Sequence, residues 1–223
     1  LDVYRKINTL ATLNLAKHAE KAGVKRFIFI STIKVLGEHT LEGQPFTSED
    51  PLNPQDPYSI SKAEAELGLR KIMKQSDMEI VIIRPPLVYG PGAKGNFSSL
   101  LKLASLQVPL PFGAIKNRRS FVGIDNLVDL ICKCLENPNA KNQTFLVSDD
   151  CDMGTPELCA LLSKVGGYNS FIFPFPKSVL WLVLSLIGKK AVFERLFQSM
   201  EIDIDLTKST LNWKPPFNTK DSI

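Results

Sequence analysis

The chain has 223 residues, of which 44% are hydrophobic, 22% charged and 9% aromatic. That is enough apolar material for a sizeable core, and it excludes a disordered, collagen-like or coiled-coil chain. Its 27 Lys and Arg against 23 Asp and Glu leave a net charge of +4, and the densest basic run is only Lys116-Asn117-Arg118-Arg119, so no nucleic-acid partner is expected. Cys132, Cys134, Cys151 and Cys159 show neither a paired C-x-x-C spacing nor an accompanying His-x-x-x-His helix; they read as reduced, buried thiols, with no metal site expected. The most apolar window, Val179 to Ile187, falls well short of the ~20 residues that a spanning helix needs. No membrane insertion is expected, and a cytoplasmic location follows by default; an interfacial helix flanked by Lys177, Lys189 and Lys190 is the alternative use of that window.

In chain order, Ile7, Leu10, Ala11, Leu15, Ala19 and Ala22 recur at helical spacing from Tyr4 to Ala22, and Gly23 stops the helix. Arg26 to Ile30 (RFIFI) is a short run rich in β-formers, suited to a fully buried strand of a parallel sheet. A polar, Pro-rich connection from Gly37 to Pro57 leads to a helix through about Met73, with Asp56 as N-cap and Pro57 as its first residue. Glu79 to Arg84 (EIVIIR) is a second buried run, and Pro85-Pro86 ends it. Strand, long helix and strand make a βαβ unit, which places the chain in the α/β class with a parallel sheet. Beyond Gly92 the pattern predicts helices at Phe97 to Leu106, Asp125 to Glu136, Pro156 to Lys164 and Pro176 to Phe197. A turn-rich stretch at Pro109 to Arg119, a strand at Thr144 to Val147 and a Pro-containing tail after Trp213 complete the reading. With no internal repeat or long linker, residues 93–223 are expected to interleave with residues 1–92.

Tyr58 and Lys62 are four positions apart near the start of a helix, on one face. A nearby cation favours the phenolate, so Lys62 is expected to lower the tyrosine's pKa and let it exchange a proton with a sugar or alcohol hydroxyl. Taken alone the spacing is weak, because many solvated helices carry it. Its context is stronger: Ser31 and Thr32 end the preceding strand at its carboxyl edge, where open α/β sheets place their ligands, and either hydroxyl can bond a substrate oxygen. The next strand runs into Arg84-Pro85-Pro86-Leu87-Val88-Tyr89-Gly90-Pro91-Gly92, a tight loop at the same edge or simply a domain-joining turn.

Together these residues resemble the extended short-chain dehydrogenase/reductases that act on nucleotide sugars, the NAD-dependent epimerase/dehydratase group. The similarity rests on Asn8 in KINT, Ser31-Thr32-Ile33-Lys34-Val35-Leu36-Gly37, the Tyr58-to-Lys62 YxxxK, the Arg84-to-Gly92 RPxxVYGPG and the Arg119-to-Asn126 RSFVGIDN. The resemblance implies Tyr58 as general acid/base, Lys62 as its partner and ribose ligand, and Thr32 as the group polarising the sugar O4. It implies cofactor contacts from Asn8, Ser31, Tyr58, Lys62, Arg84 and Pro85 to NAD or NADP. Thr32, Asn96, Arg119 and Arg195 would meet a UDP-sugar, the two arginines at its diphosphate. It also implies the C-terminal part of a Rossmann-type sheet with helices on both faces (residues 1–92), plus a smaller substrate-binding lobe (93–223) interleaved with the last Rossmann elements at about 119–148. A homodimer through the opening helix and the Tyr58 helix is implied for the full-length protein.

Within the group, Ser-Thr-Ile-Lys-Val and the Phe173-to-Trp213 tail resemble reductases of UDP-4-keto-6-deoxy-N-acetylhexosamines, which serve polysaccharide or O-antigen synthesis. A UDP-hexose 4-epimerase is the alternative. Ile33-Lys34 stands where a 4,6-dehydratase usually carries Asp-Glu, which lowers that reading. The glycine-rich G-x-x-G-x-x-G turn that holds the cofactor pyrophosphate in complete members is not found in residues 1–223. The chain is therefore expected to be a portion of a longer enzyme, inactive alone, with a naturally truncated, non-catalytic nucleotide-sugar-binding protein as the reading of another class.

Overall fold

The computed structural model describes residues 1–92, 101, 102, 105, 107–168, 171–186, 188 and 190–219. The helix expected at 97–106 falls largely outside these residues, and Asn96 lies outside them.

The opening segment is one continuous helix in which α1 (Asp2–Tyr4) passes through a π-helical stretch (Arg5–Leu10) into α2 (Ala11–Lys21). Gly23, at φ +74°, ends it in a conformation that costs glycine nothing. Among the described residues five strands follow: β1 (Arg26–Ile30), β2 (Glu79–Arg84), β3 (Leu87–Tyr89), β4 (Phe121–Gly123) and β5 (Thr144–Leu146). β1, β2 and β5 form a parallel sheet in the order β1-β2-β5, with Arg26 opposite Glu79 and Ile30 opposite Ile83. β3 and β4 form a separate parallel pair.

The expectation of two fully buried strands holds for β2, where Ile80, Val81, Ile82 and Ile83 are all buried, and fails for β1, where only Phe29 is. Both runs are equally apolar. β2 has a neighbour on each side, whereas β1 lies at the end of the sheet.

Helix α3 (Pro57–Gln75) begins where its chemistry says it should. The Asp56 carboxylate accepts from Ser59 N (2.7 Å), Ser59 Oγ accepts from Asp56 N (3.1 Å), and Pro57 takes the first turn. Ala65, Leu69 and Ile72 of this helix pack with Ala16, Phe29, Ile80 and Ile82. α2 crosses α3 so closely at Gly68 that a Cβ there would stand 2.5 Å from the Leu13 side chain.

On the other face of the sheet, α4 (Ile124–Glu136) contributes Leu127, Leu130 and Cys134 to a core shared with Ile33, Val81, Phe145, Met200 and Trp213. Residues from both ends of the chain thus meet in one cluster. α5 (Thr155–Val165), α6 (Lys177–Leu186), α7 (Lys190–Phe197) and α8 (Asp205–Leu211) complete the described helices. The single helix expected from Pro176 to Phe197 is two, because Gly188 sits at φ +70°, outside the helical region.

All four cysteines are free, but only Cys134 and Cys159 are buried; Cys132 and Cys151 are exposed. Cys132 and Cys134 are two residues apart on α4 and so face opposite sides of it, which corrects the expectation of four buried thiols. Burial pushes the Cys134 thiol up to about 12 and that of Cys159 to about 11, so neither forms a thiolate at neutral pH.

Candidate active site

The chemistry-bearing residues gather where β1 and β2 end. Ser31 N donates to Ile83 O (2.7 Å) and Ile33 N to Pro85 O (2.9 Å), which continues the parallel ladder past the strands. Thr32 is buried and caps a short 3-10 turn (Ile33–Val35), its Oγ1 accepting from Lys34 N at 3.4 Å.

The side chains of Ser31 and Arg84 point into the protein. Ser31 Oγ donates to Glu66 Oε1 (2.6 Å), Arg84 grips the same carboxylate through Nε and Nη2 (3.1 and 2.7 Å), and its Nη1 reaches Ser48 O (3.2 Å). Glu66 is fully buried and Arg84 nearly so. A carboxylate at that depth requires every donor around it, so the side chains of Ser31 and Arg84 are engaged inside the protein and leave their backbone at the sheet edge. Pro85 offers its carbonyl to Ile33.

Lys62 Nζ donates to Ile30 O (2.8 Å) and lies 4.5 Å from the centre of the Phe29 ring. Burial lowers its pKa against the opposing pull of the Glu66 charge. Tyr58 stands on the preceding turn of α3, with its ring edge-on to Tyr4 (6.2 Å between centroids). Burial first and the Asp56 charge second hold its hydroxyl above the usual tyrosine range; Lys34 pulls the other way. The expected lowering of the Tyr58 pKa by Lys62 is therefore not what the geometry gives, because the Lys62 ammonium is drawn to the end of β1. The cation that acts on Tyr58 is Lys34, which pairs with Asp56 at the helix cap and with Glu38 (2.8 Å).

Asn8 lies in the π-helical stretch, a distortion that recurs at functional sites, and its Nδ2 donates to Ser61 Oγ (3.0 Å). Thr9 Oγ1 donates to Ser61 O (2.8 Å), and Arg5 pairs with Glu64 at 2.5 Å. The opening helix is thereby fastened to the turn of α3 that bears Tyr58 and Lys62.

A cavity of about 380 Å³ brings Thr32, Lys34, Pro86, Arg119 and Gln198 to one surface. It adjoins a second, of about 620 Å³, lined by Lys34, Glu38, His39, Phe46, Asp56 and Gln198 among others. Arg119 Nη1 donates to Gln198 O (3.4 Å). Thr32 and Arg119, far apart in sequence, thus share one cavity; Tyr58 and Lys62 do not line it. Asn96 and the Arg195 side chain lie outside the described residues. Among the described residues no group of three His, Cys, Asp or Glu is placed to hold a metal ion.

Sequence reasoning missed three groups. Lys34 was read only as part of a motif; Glu66 carries no motif at all; and Asp149 is a buried hub that accepts from Tyr89 Oη (2.5 Å), Asn126 Nδ2 (2.7 Å), Gly123 N (2.9 Å) and Thr219 Oγ1 (3.2 Å). Its link to Tyr89 ties the end of β3 to the segment after β5. The helical spacing of Lys62 and Glu66 was the available signal for Glu66, one turn beyond the YxxxK.

Comparison with known proteins gives a consistent picture. Residues 2–148 match the NAD dependent epimerase/dehydratase family. A Vibrio cholerae protein named UDP-glucose 4-epimerase is 51% identical over 217 residues, covering 97% of this chain and 66% of the relative. An Escherichia coli protein named N-acetyl-alpha-D-glucosaminyl-diphospho-ditrans,octacis-undecaprenol 4-epimerase is 31% identical over 197 residues, covering 84% of this chain and 59% of that relative. The solved structure of UDP-glucose 4-epimerase from Thermotoga maritima with UDP-glucose superposes with a TM-score of 0.75 at 22% identity, over 98% of this chain and 67% of that one. UDP-glucuronic acid 4-epimerase from Bacillus cereus in complex with NAD gives 0.74 at 20%, over 96% and 64%. These likenesses carry the fold, an α/β Rossmann-type parallel sheet with helices on both faces. The chain spans less than two thirds of the length of these two curated relatives.

Proposed function

The chain belongs to the NAD dependent epimerase/dehydratase family, and from that premise we propose that it carries the acid/base pair and substrate lobe of a nucleotide-sugar enzyme acting at sugar C4. The observation that carries this reading is the meeting of Thr32 and Arg119 in one cavity at the carboxyl edge of the parallel sheet, beside the helix that bears Tyr58 and Lys62. Thr32 bonds the sugar O4, Tyr58 exchanges a proton with it, and Arg119 and Arg195 meet the diphosphate of a UDP-sugar, where a planar fork suits phosphate oxygens. Asn96, in the sequence Gly95-Asn96-Phe97, contacts the sugar.

The donor set fits the ribose end of NAD or NADP: the Lys62 ammonium has three N–H donors, of which Ile30 O accepts one. Lys62 and Asn8 would hold that end, with Ser31, Arg84 and Pro85 contributing backbone at the sheet edge. When bound, the cofactor supplies the hydride acceptor and donor. The pool of NAD(H) and nucleotide sugars makes the cytoplasm the proposed compartment. The exposed row Val3, Ile7, Leu10 and Leu15, with Leu67 of α3, supports the homodimer proposed for the full-length protein.

Two reactions fit this centre. The 51% identical relative favours a UDP-hexose 4-epimerase. The Ser31-to-Val35 stretch and a Tyr58 hydroxyl held protonated by burial favour a reductase, in which the phenol donates its proton to the 4-keto oxygen of a UDP-6-deoxy-N-acetylhexosamine. The test uses the longest reading frame that contains residues 1–223, assayed on UDP-4-keto-6-deoxy-N-acetylglucosamine with NADH or NADPH, and on UDP-galactose and UDP-N-acetylglucosamine. Tyr58-dependent cofactor oxidation identifies the reductase; C4 inversion without net cofactor consumption identifies the epimerase. Binding of UDP with neither activity nor NAD(H) binding would replace both with a non-catalytic nucleotide-sugar-binding protein.

A further inference from the structure

Helix α6 breaks the ordinary partition of apolar residues. Of its ten residues, Lys177-Ser-Val-Leu-Trp-Leu-Val-Leu-Ser-Leu186, only Leu180 is buried. Trp181, Leu182, Val183 and Leu186 are 44%, 52%, 47% and 78% exposed, and Val179 joins them. At 100° per residue these five positions sweep more than half the circumference, far more than the single stripe a helix lays into a protein groove. An aromatic row leads into it: Phe171, itself exposed, stacks on Phe173 (6.2 Å), which meets Phe175 edge-on (6.0 Å).

The charge in the sequence flanking the helix is of one sign. From Leu158 to Phe193 the sequence holds Lys164, Lys177, Lys189 and Lys190 and not one Asp or Glu, in a chain that otherwise carries 23 acidic residues. Lys177 stands at the start of α6, its ammonium 5.5 Å from the centre of the Phe197 ring on α7. Of the carboxylates flanking the stretch, Glu157 is turned to the start of α5, accepting from Gly154 N (2.9 Å), and Glu194 lines the larger cavity. Among the described residues no helix is long and apolar enough to cross a membrane.

From this combination we propose that α6 and the aromatic row before it form a surface that lies on an anionic phospholipid bilayer, with Trp181, Leu182 and Leu186 entering the headgroup boundary and Lys177 meeting lipid phosphates. A broad apolar arc with aromatic residues and a lysine rim is the pattern of an interfacial helix, and positive charge without carboxylates is the complement of an anionic surface. A second copy of the chain fits less well, because a two-fold contact through this face would bring together two stretches that carry lysines and no carboxylate. No residue of α6 lines either cavity at the sheet edge, so the inference stands whichever reaction the centre performs.

The test is co-sedimentation of the protein encoded by the longest reading frame that contains residues 1–223 with phosphatidylcholine vesicles, with and without phosphatidylglycerol, while tryptophan emission is followed. Trp213 is buried, so within these residues a shift on binding reports Trp181. The expected result is sedimentation with the phosphatidylglycerol vesicles only, a blue shift, loss of both at high salt, and a drop of at least about tenfold in partitioning for Leu182→Glu/Leu186→Glu. Trp181→Phe should keep the binding and lose the shift. Failure to bind anionic vesicles overturns the proposal, and so does equal binding to neutral ones. Self-association abolished by Leu182→Glu/Leu186→Glu, without vesicle binding, would assign the face to a second copy instead.

Discussion

The end of the parallel sheet and helix α6 depart from the usual partition of residues in opposite directions. Under β1 and β2 a glutamate and an arginine are buried; on α6 a tryptophan, two leucines and two valines stand exposed. The buried pair is surrounded by donors and acceptors, with Ser31, Arg84 and the Ser48 carbonyl closing the network, so its cost is met internally and its effect is to brace the strand ends that carry Thr32. The exposed residues of α6 have no such compensation within the described chain. The contrast teaches that a misplaced residue with partners is part of the scaffold, whereas one without them marks a surface that meets something else.

The sharpest way to break that contrast is to remove one side of the buried pair. Glu66→Ala should destabilise the fold by about 3–5 kcal/mol, since Arg84 is left buried and uncompensated; urea titration measures it, and a cost below about 1 kcal/mol would mean that the network does not brace the edge. Combining it with Arg84→Met should recover much of the loss. Tyr58→Phe, by contrast, removes a hydroxyl with no hydrogen bond among the described residues. It should leave stability nearly unchanged while lowering kcat about 10²- to 10⁴-fold in steady-state assays of the complete enzyme.

Electrostatics at the cap of α3 sharpen the comparison further. Lys34→Met removes the cation that opposes the upward shift of Tyr58, so any rate limb that needs the phenolate should move to higher pH in a pH–rate profile. Burial tends to raise the Asp56 carboxyl, but bonds from Lys34 and Ser59 win and hold it below its usual range. Its contribution to stability is therefore present above about pH 4 and fades as the pH falls through the lowered value; Lys34→Met should reduce that fading in acid-unfolding curves. The smallest effects belong to the exposed surface. Leu182→Glu/Leu186→Glu should alter stability by no more than about 0.5 kcal/mol per site, and a thiol reagent at pH 8 should label Cys132 and Cys151 quickly while Cys134 and Cys159 react only on unfolding.

Local pattern made the elements legible. The β-formers of RFIFI and EIVIIR, the Asp56-Pro57 start and Gly23 each act within a few residues of themselves, and β1, β2 and the start of α3 fall where those signals put them. Gly188 was the exception: read as part of one long helix, it divides two. In the site, Tyr58, Lys62 and Thr32 were legible as a motif, but their surroundings were not. Lys62 turning to Ile30 O, Lys34 reaching Asp56 and Glu66 collecting Ser31 and Arg84 all join residues distant in sequence, and no spacing rule encodes them.

By itself, then, the amino-acid sequence determined the α/β class and the order of strands and helices about the Tyr58 helix, and it offered Thr32, Tyr58 and Lys62 as candidates for chemistry, because backbone preference, capping and periodicity are local. Only the tertiary structure decided which of two similar strands is buried, which polar side chains are spent inside the protein, and that Thr32 and Arg119 share a cavity. It also left the apolar residues of α6 at the surface. Burial and the pairing of charges depend on what packs from elsewhere in the chain, and that is a property of the whole fold.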